Sequence, residues 1–238
     1  MEQIRINKFI KECGVASRRE ADVFVEEGRV SVNGNTATPG MMVSDTDEIK
    51  VDGKIIQRLN EKHVVAFYKP VGVVCTKKDE HAKVTLQDVF SYPVTLTYAG
   101  RLDKDSEGLL IMTDDGELVE KMMRGRYGHE KEYVVKLKRE VTEEFLKRFE
   151  KGVYLKELEV TTRPCKIRKT GPKEVRVILT QGLNRQIRRM CMALGNEVKE
   201  LKRIRVVNIL LNDLKPGEYR ELTEAELKEL YRILEIKR

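Results

Sequence analysis

Tryptophan is absent from the 238 residues, and the aromatic share is only 6%. That argues against a broad platform for stacking single-stranded bases, which needs several rings in a row. Cysteine is sparse: Cys13, Cys75, Cys165 and Cys191 are scattered with no C-x-x-C pair, so neither a zinc ribbon nor a disulfide framework is indicated. Histidine is sparser still. His63, His81 and His129 stand alone without metal-ligand spacing, and no metal is expected. No apolar run reaches the length that crosses a bilayer, and no charged-then-apolar leader opens the chain, so a cytoplasmic location is expected.

Charge, by contrast, is plentiful. Charged residues make up 36% of the chain, the hydrophobic share of 40% supports a real core, and the net charge of +7 suggests a polyanionic partner. The positive excess is local. Between Arg163 and Arg205 stand thirteen lysines and arginines against three acids, Glu174, Glu197 and Glu200. Such segregation points to a surface that tracks phosphates. Up to Asn60, nine basic residues face ten acidic ones, so binding by that part must come from one face.

The length allows a small and a medium domain, and the pattern divides at a polar stretch, Gln57 to Lys62: residues 1–60 form a module with its linker, and 61–238 the main domain. Ile4, Phe9 and Ile10 suit a short amphipathic helix. Ser17 caps a second, from Arg18 to Val25, with Glu20 at the capping-box position and Gly28 as its stop. Arg29 to Val32 reads as a strand entering an Asn33-Gly34 turn, and two more short strands flank Asp52-Gly53. Beyond the linker, strands are predicted at Val64–Tyr68, Val94–Tyr98, Leu109–Thr113, Glu130–Leu137, Glu174–Thr180 and within Glu197–Leu211. Helices are predicted after Gly116 and at Val141–Glu150, Asn184–Cys191 and Glu224–Leu234. Without regular βαβ alternation, the fold class is α+β: a small N-terminal α/β module and a larger domain on a mainly antiparallel mixed sheet.

The run from Ala99 to Gly116 looks least like packing. Arg101-Leu102-Asp103 precedes a polar turn, Lys104 to Gly108, and an apolar strand follows, a rigid platform for a reactive side chain. Asp103, Asp105, Glu107 and Gly108 mimic a calcium loop, but Asp114 stands where the long bidentate Glu is needed and the flanks read as strands.

The N-terminal order of elements, with Ser17-Arg18-Arg19-Glu20-Ala21-Asp22 and Arg29 to Gly34, resembles the small RNA-binding domain of ribosomal protein S-four. The resemblance implies that Arg5, Lys8, Ser17, Arg18 and Arg19 meet RNA phosphates. Three further segments, Gly100-Arg101-Leu102-Asp103 with Ser106-x-Gly108-Leu109-Leu110, then Lys131-Glu132-Tyr133, then Asn184 to Met190, resemble the signatures of bacterial ribosomal RNA pseudouridine synthases of the RsuA type. The wording around them, with Leu201 to Arg205, is most similar to the RluF branch, which acts on large-subunit (23S) ribosomal RNA.

That resemblance implies the pseudouridine synthase fold and a cofactor-free isomerase that takes a uridine out of its stack. Asp103 is then the indispensable carboxylate, acting either on the sugar's first carbon or on the proton of its second. Arg188 is the guanidinium that keeps it ionised, although Arg189 could exchange roles with it. Tyr133 stacks on the base and takes the carbon-five proton, and Leu201, Lys131 and Leu102 line the pocket. Arg101 props open the RNA stack. Arg185, Arg189 and Arg203 face RNA. No cofactor, membrane or obligate protein partner is implied, and a monomer is expected. Competing readings are a small-subunit synthase and a non-catalytic ribosome-assembly factor, although a pure binder has no need of a carboxylate in an anionic groove.

Overall fold

The computed structural model describes residues 3–58, 62–76, 84–123 and 128–236. Residues 59–61 of the expected linker, and His81, lie outside the described residues. The chain divides into two compact units, and the first comprises Met1–His63 with the short segments Tyr92–Thr97 and Thr113–Asp115.

In the first unit β1 (Ile4–Arg5), α1 (Ile6–Glu12), α2 (Arg18–Glu26), β2 (Val30–Val32), β3 (Asn35–Thr36), β4 (Met42–Val43), β5 (Ile49–Val51) and β6 (Lys54–Ile56) follow in order. Ile4 departs from the expected helix because it pairs with Val43, β1 running antiparallel to β4. The start of α2 is a complete capping box: the Glu20 amide donates to Ser17 Oγ at 3.3 Å, and the Ser17 amide to Glu20 Oε2 at 2.8 Å. Such a cap is worth about 1 kcal/mol. Asn33 (φ 51°) with Gly34 (φ 84°), and Asp52 (φ 49°) with Gly53 (φ 77°), sit in the left-handed region that two-residue hairpins require. The four-stranded sheet runs β3-β2-β5-β6. Ile6, Phe9 and Ile10 of α1 and Ala21 and Val25 of α2 bury against Val30, Val32, Ile49 and Val51 of that sheet.

The second unit contains, apart from Thr97 and Thr113 at two strand ends, β7 (Val64–Lys69), α3 (Leu86–Val89), β8 (Thr97–Ala99), β9 (Glu107–Thr113), α4 (Gly116–Met123), β10 (Lys131–Leu137), α5 (Glu143–Glu150), β11 (Tyr154–Leu155), β12 (Val160–Thr161), β13 (Lys166–Gly171), β14 (Glu174–Leu179), α6 (Gln186–Ala193), β15 (Val198–Val206), β16 (Ile209–Leu210), β17 (Tyr219–Glu221) and α7 (Glu224–Ile233). Its nine-stranded sheet runs β13-β14-β10-β15-β9-β7-β17, with β16 on β15 and β8 on β9. The pairs β13–β14, β14–β10, β10–β15 and β17–β7 are antiparallel, and β15–β9 is parallel, so the sheet is mixed and mainly antiparallel as expected.

Leu109, Leu110 and Ile111 of β9 are all fully buried, which is why this strand reads as an unbroken apolar run. Leu109 and Ile111 join α4, α7 and β7 in one core. A second core packs Phe145 and Phe149 of α5 and Ile187 and Met190 of α6 against Val135, Val177 and Leu201 of the sheet. Two strands escape the apolar pattern: β13 (Lys-Ile-Arg-Lys-Thr-Gly) and β17 (Tyr-Arg-Glu) are the charged ends of the sheet order. The strand expected at Val94–Tyr98 is confined to Thr97–Ala99.

Two irregularities shape the ground for chemistry. In the parallel pair Gly108 lies opposite Arg203. A Cβ there would fall 2.2 Å from the Arg203 carbonyl oxygen, and φ is +108°, so only glycine fits. In the β10–β15 ladder the register shifts between Glu132 and Tyr133, so that Tyr133 faces Arg203 while Glu132 faces Arg205. The extra residue, Ile204 of β15, has no partner in β10, and a bulge of this kind bends the strand and increases its twist.

Candidate active site

A cleft of about 710 Å³ opens in the second unit. Its lining joins segments far apart in the chain: Gly100 to Lys104 before β9, Lys131 and Tyr133 of β10, Leu201 and Arg203 of β15, and the loop from Leu179 into α6. Lys131 and Tyr133, two apart on one strand, project to the same side. Leu102 and Leu201, each buried, supply apolar wall. Asp103 is half-buried in a turn that the Ser106 amide closes by donating to the Asp103 carbonyl at 3.1 Å. Asp103, Tyr133, Lys131, Leu201, Leu102 and Arg101 therefore meet in one cleft.

Arg188 does not complete that group as expected. Among the described residues it meets the turn beyond Asp103 and not Asp103 itself. One terminal nitrogen donates to the Asp105 carbonyl at 2.6 Å and to Ser106 Oγ at 3.3 Å, and the other to the Val198 carbonyl at 3.2 Å. Its Nε lies 3.4 Å from Asp105 Oδ2 without a hydrogen bond's alignment. The side chain rises from α6 toward the turn at residues 105 and 106, and these groups fill its fork. Arg189, the alternative, donates to Asn184 and pairs with Glu157.

Arg203 is a correction of another kind. Expected to face RNA, it is 2% exposed. Nε donates to the Leu109 carbonyl at 2.7 Å, and the terminal nitrogens to the carbonyls of Gly100 at 3.2 Å and Arg101 at 3.4 Å. A buried guanidinium persists only when its donors are matched, and here they clasp both ends of the segment that carries Asp103. Arg185 was also expected on RNA. It is exposed, and both its terminal nitrogens are hydrogen-bonded to the Asp105 carboxylate, at 3.0 and 2.8 Å.

Pairing extends over the basic stretch. Lys166 meets Glu130, Arg176 meets Glu132, Lys202 meets Glu107, and Arg205 meets both Glu130 and Glu132. Acids from elsewhere in the chain neutralise what the local count left bare. Arg168, Lys173 and Lys199 stay exposed with no acid partner among the described residues. In the first unit Arg5, Arg18 and Arg19 are exposed. Lys8 lies 3.7 Å from Glu12, and the Ser17 hydroxyl is engaged as the cap of α2.

Two further residues were missed in the sequence. Lys69 is fully buried at the end of β7, its ammonium donating to the carbonyls of Pro70 at 2.8 Å and Val73 at 2.9 Å, and burial pulls its pKa down to about 8. The terminal polar residue of an otherwise apolar strand was its only signal. Asp105, read as a turn residue, is held below the usual carboxylate range by the Arg185 guanidinium. Lys131 is likewise drawn down to about 8, by burial and then by the charge of Arg203. The arrangement presents one half-buried carboxylate, among the described residues, to a small cleft with an aromatic ring, apolar walls and fixed cations, suited to holding a planar, phosphate-bearing group beside it.

The family model for RNA pseudouridylate synthases matches residues 63–193, and the S4 domain model matches residues 4–49. The chain is 43% identical over 234 residues to the dual-specificity RNA pseudouridine synthase RluF of Escherichia coli K12, covering 98% of this chain and 80% of that protein. It is 37% identical over 232 residues to the ribosomal large subunit pseudouridine synthase B of Bacillus subtilis, covering 95% of each. A solved pseudouridylate synthase structure superposes with a TM-score of 0.70 at 31% identity, covering 95% of this chain and 99% of that one.

Proposed function

The chain belongs to the RNA pseudouridylate synthase family, and from that premise we propose that it isomerises a specific uridine of large-subunit ribosomal RNA, with Asp103 as the catalytic carboxylate. Carried by this chain are an S4 RNA-binding domain and a synthase domain of the RluF and RsuA type. The observation that supports the site assignment is the meeting of Asp103, Tyr133, Lys131 and Leu201 in one cleft.

The reaction balances without an added reagent. The bond between the sugar's first carbon and base nitrogen one breaks, a bond from that carbon to base carbon five forms, and the proton of carbon five is replaced by one on nitrogen one. Asp103 acts at the sugar, by attack on the first carbon or by removal of the second carbon's proton. Tyr133 stacks on the extruded base and receives the carbon-five proton. Leu201 and Leu102 hold the ring, Lys131 supplies a cation at the start of β10, and Arg101, exposed at the lip, fills the space the base leaves. Arg188 and Arg203 act on the backbone around Asp103. Arg5, Arg18 and Arg19 of the first unit track phosphates. We take residues 1–60 as the RNA-binding module with its linker and 61–238 as the catalytic domain.

The large-subunit target rests on the Bacillus subtilis relative named for it and on the RluF-like wording of the signatures. The relatives named dual-specificity make a second RNA target part of the test. Transcripts of both ribosomal RNAs, incubated with the protein and mapped for pseudouridine, are expected to gain a single site in the large-subunit RNA. A site in small-subunit RNA alone would overturn the target, and no site in either, with tight binding, would favour an assembly role.

A further inference from the structure

The geometry points to Asp105 as a positioning residue for the isomerisation: its carboxylate fastens α6 to the turn that carries Asp103. The inference rests on the assignment of Asp103 as the catalytic carboxylate. Three observations converge on it. Arg185 grips both carboxylate oxygens, at 3.0 and 2.8 Å, the two-pronged geometry that fixes orientation as well as distance. Arg188, one turn further along the helix, reaches the same residue twice, its terminal nitrogen 2.6 Å from the Asp105 carbonyl and its Nε 3.4 Å from the carboxylate. Arg185 itself has φ 50°, a left-handed conformation unusual for a residue with a side chain, and it sits at the N-cap of α6.

The turn has little freedom once these contacts form. Ser106, 1% exposed, accepts from Arg188 through its hydroxyl and closes on the Asp103 carbonyl through its amide. Asp103 is thus two residues from an anchor reaching across 80 positions of sequence to Arg185 and 83 to Arg188. An exposed ion pair alone contributes little to stability. A carboxylate on a surface built to meet phosphates also opposes binding. Neither stability nor affinity accounts for Asp105, and placement of Asp103 does. The consequence is specific: neutralising Asp105 slows the reaction while leaving RNA binding as strong or stronger, because Arg185 is freed for a phosphate.

The experiment compares Asp105→Asn with wild type on a ribosomal RNA transcript that wild type modifies, measuring single-turnover rate, RNA dissociation constant and thermal midpoint. The rate is expected to fall about 10²-fold, the loss typical of a reacting group displaced by an ångström. The dissociation constant is expected to stay level or tighten, with the midpoint within about 4 °C of wild type. Arg185→Gln removes the same clasp from the other side and is expected to match that rate, with the double variant no slower than either single one. Should Asp105→Asn melt early, Arg185→Gln carries the test. A rate within threefold of wild type, roughly the scatter found even between independent sites, would overturn the proposal. So would rate and affinity falling together in both variants. An active Asp103→Asn control would instead overturn the assignment of Asp103, and the ratio of Asp105→Asn to wild type separates the two failures.

Discussion

Two sets of arginines in this chain look alike in the sequence and differ in the fold. Arg18 and Arg19 open α2 of the first unit, exposed and with no acid partner among the described residues. Arg185, Arg188 and Arg189 at the start of α6, with Arg203 and Arg205 of β15, are each tied to carboxylates or carbonyls. A solvated guanidinium lends itself to phosphates and gives affinity that salt erodes. One whose donors are matched inside the protein gives little affinity and holds a shape. Charge of one sign therefore does two jobs here, and only the surroundings tell them apart.

The comparison can be broken hardest at the fixed set. Gly108→Ala drives a methyl group into the Arg203 backbone at a positive φ, and we expect a loss of about 3 kcal/mol or more in urea unfolding, with turnover abolished. Arg203→Met leaves buried carbonyls of Gly100, Arg101 and Leu109 unmatched, at roughly 1–3 kcal/mol for each group that water cannot reach. Its melting should fall clearly, while the salt dependence of RNA binding keeps the wild-type slope. A shallower slope would return Arg203 to the RNA surface.

Lys131 tests the fixed set through pH. Its pKa is depressed to about 8, so its charge is present below that pH and lost above it, and kcat/KM of wild type should drop on the alkaline side, by about fivefold between pH 8 and 9 and by about tenfold over the next unit. Lys131→Arg keeps the charge and should carry the limb to higher pH. The stability effect has the opposite sense: the unfolded lysine still binds its proton up to about pH 10.5, so the contributions of Lys131 and Lys69 rise between about pH 8 and pH 10.5. A limb left unmoved by Lys131→Arg would assign it to another group. The smallest effect belongs to the free set. Arg18→Gln with Arg19→Gln should weaken RNA binding severalfold and reduce the salt slope by about one to two, while the rate at saturating RNA stays unchanged. Arg189→Gln, whose partners are Glu157 and Asn184, should leave that slope alone.

Much of the architecture was legible because it is written locally. The capping box of α2, the Asn33-Gly34 turn and the apolar run of β9 each depend on neighbours a few residues away. The roles proposed for Asp103 and Tyr133 come from family wording, not from periodicity, and the fold brings the two residues into one cleft. What stayed hidden depends on partners far along the chain. Arg203 and Arg185 counted as free cations because Leu109 and Asp105, about 94 and 80 positions away, could not be seen to meet them. Strand β13 hid for a related reason: an edge strand carries its charges outward and loses the apolar alternation.

In the proposed reaction Asp103 performs the isomerisation while separate cations hold the RNA. The most direct test is a single-turnover measurement of Asp103→Asn on large-subunit ribosomal RNA tritiated at uridine carbon five, with dissociation constants measured in parallel. We expect tritium release to fall by about 10⁴-fold or more, as for loss of an essential catalytic group, with RNA affinity within twofold of wild type. Release within tenfold of wild type, at undiminished affinity, would contradict the account.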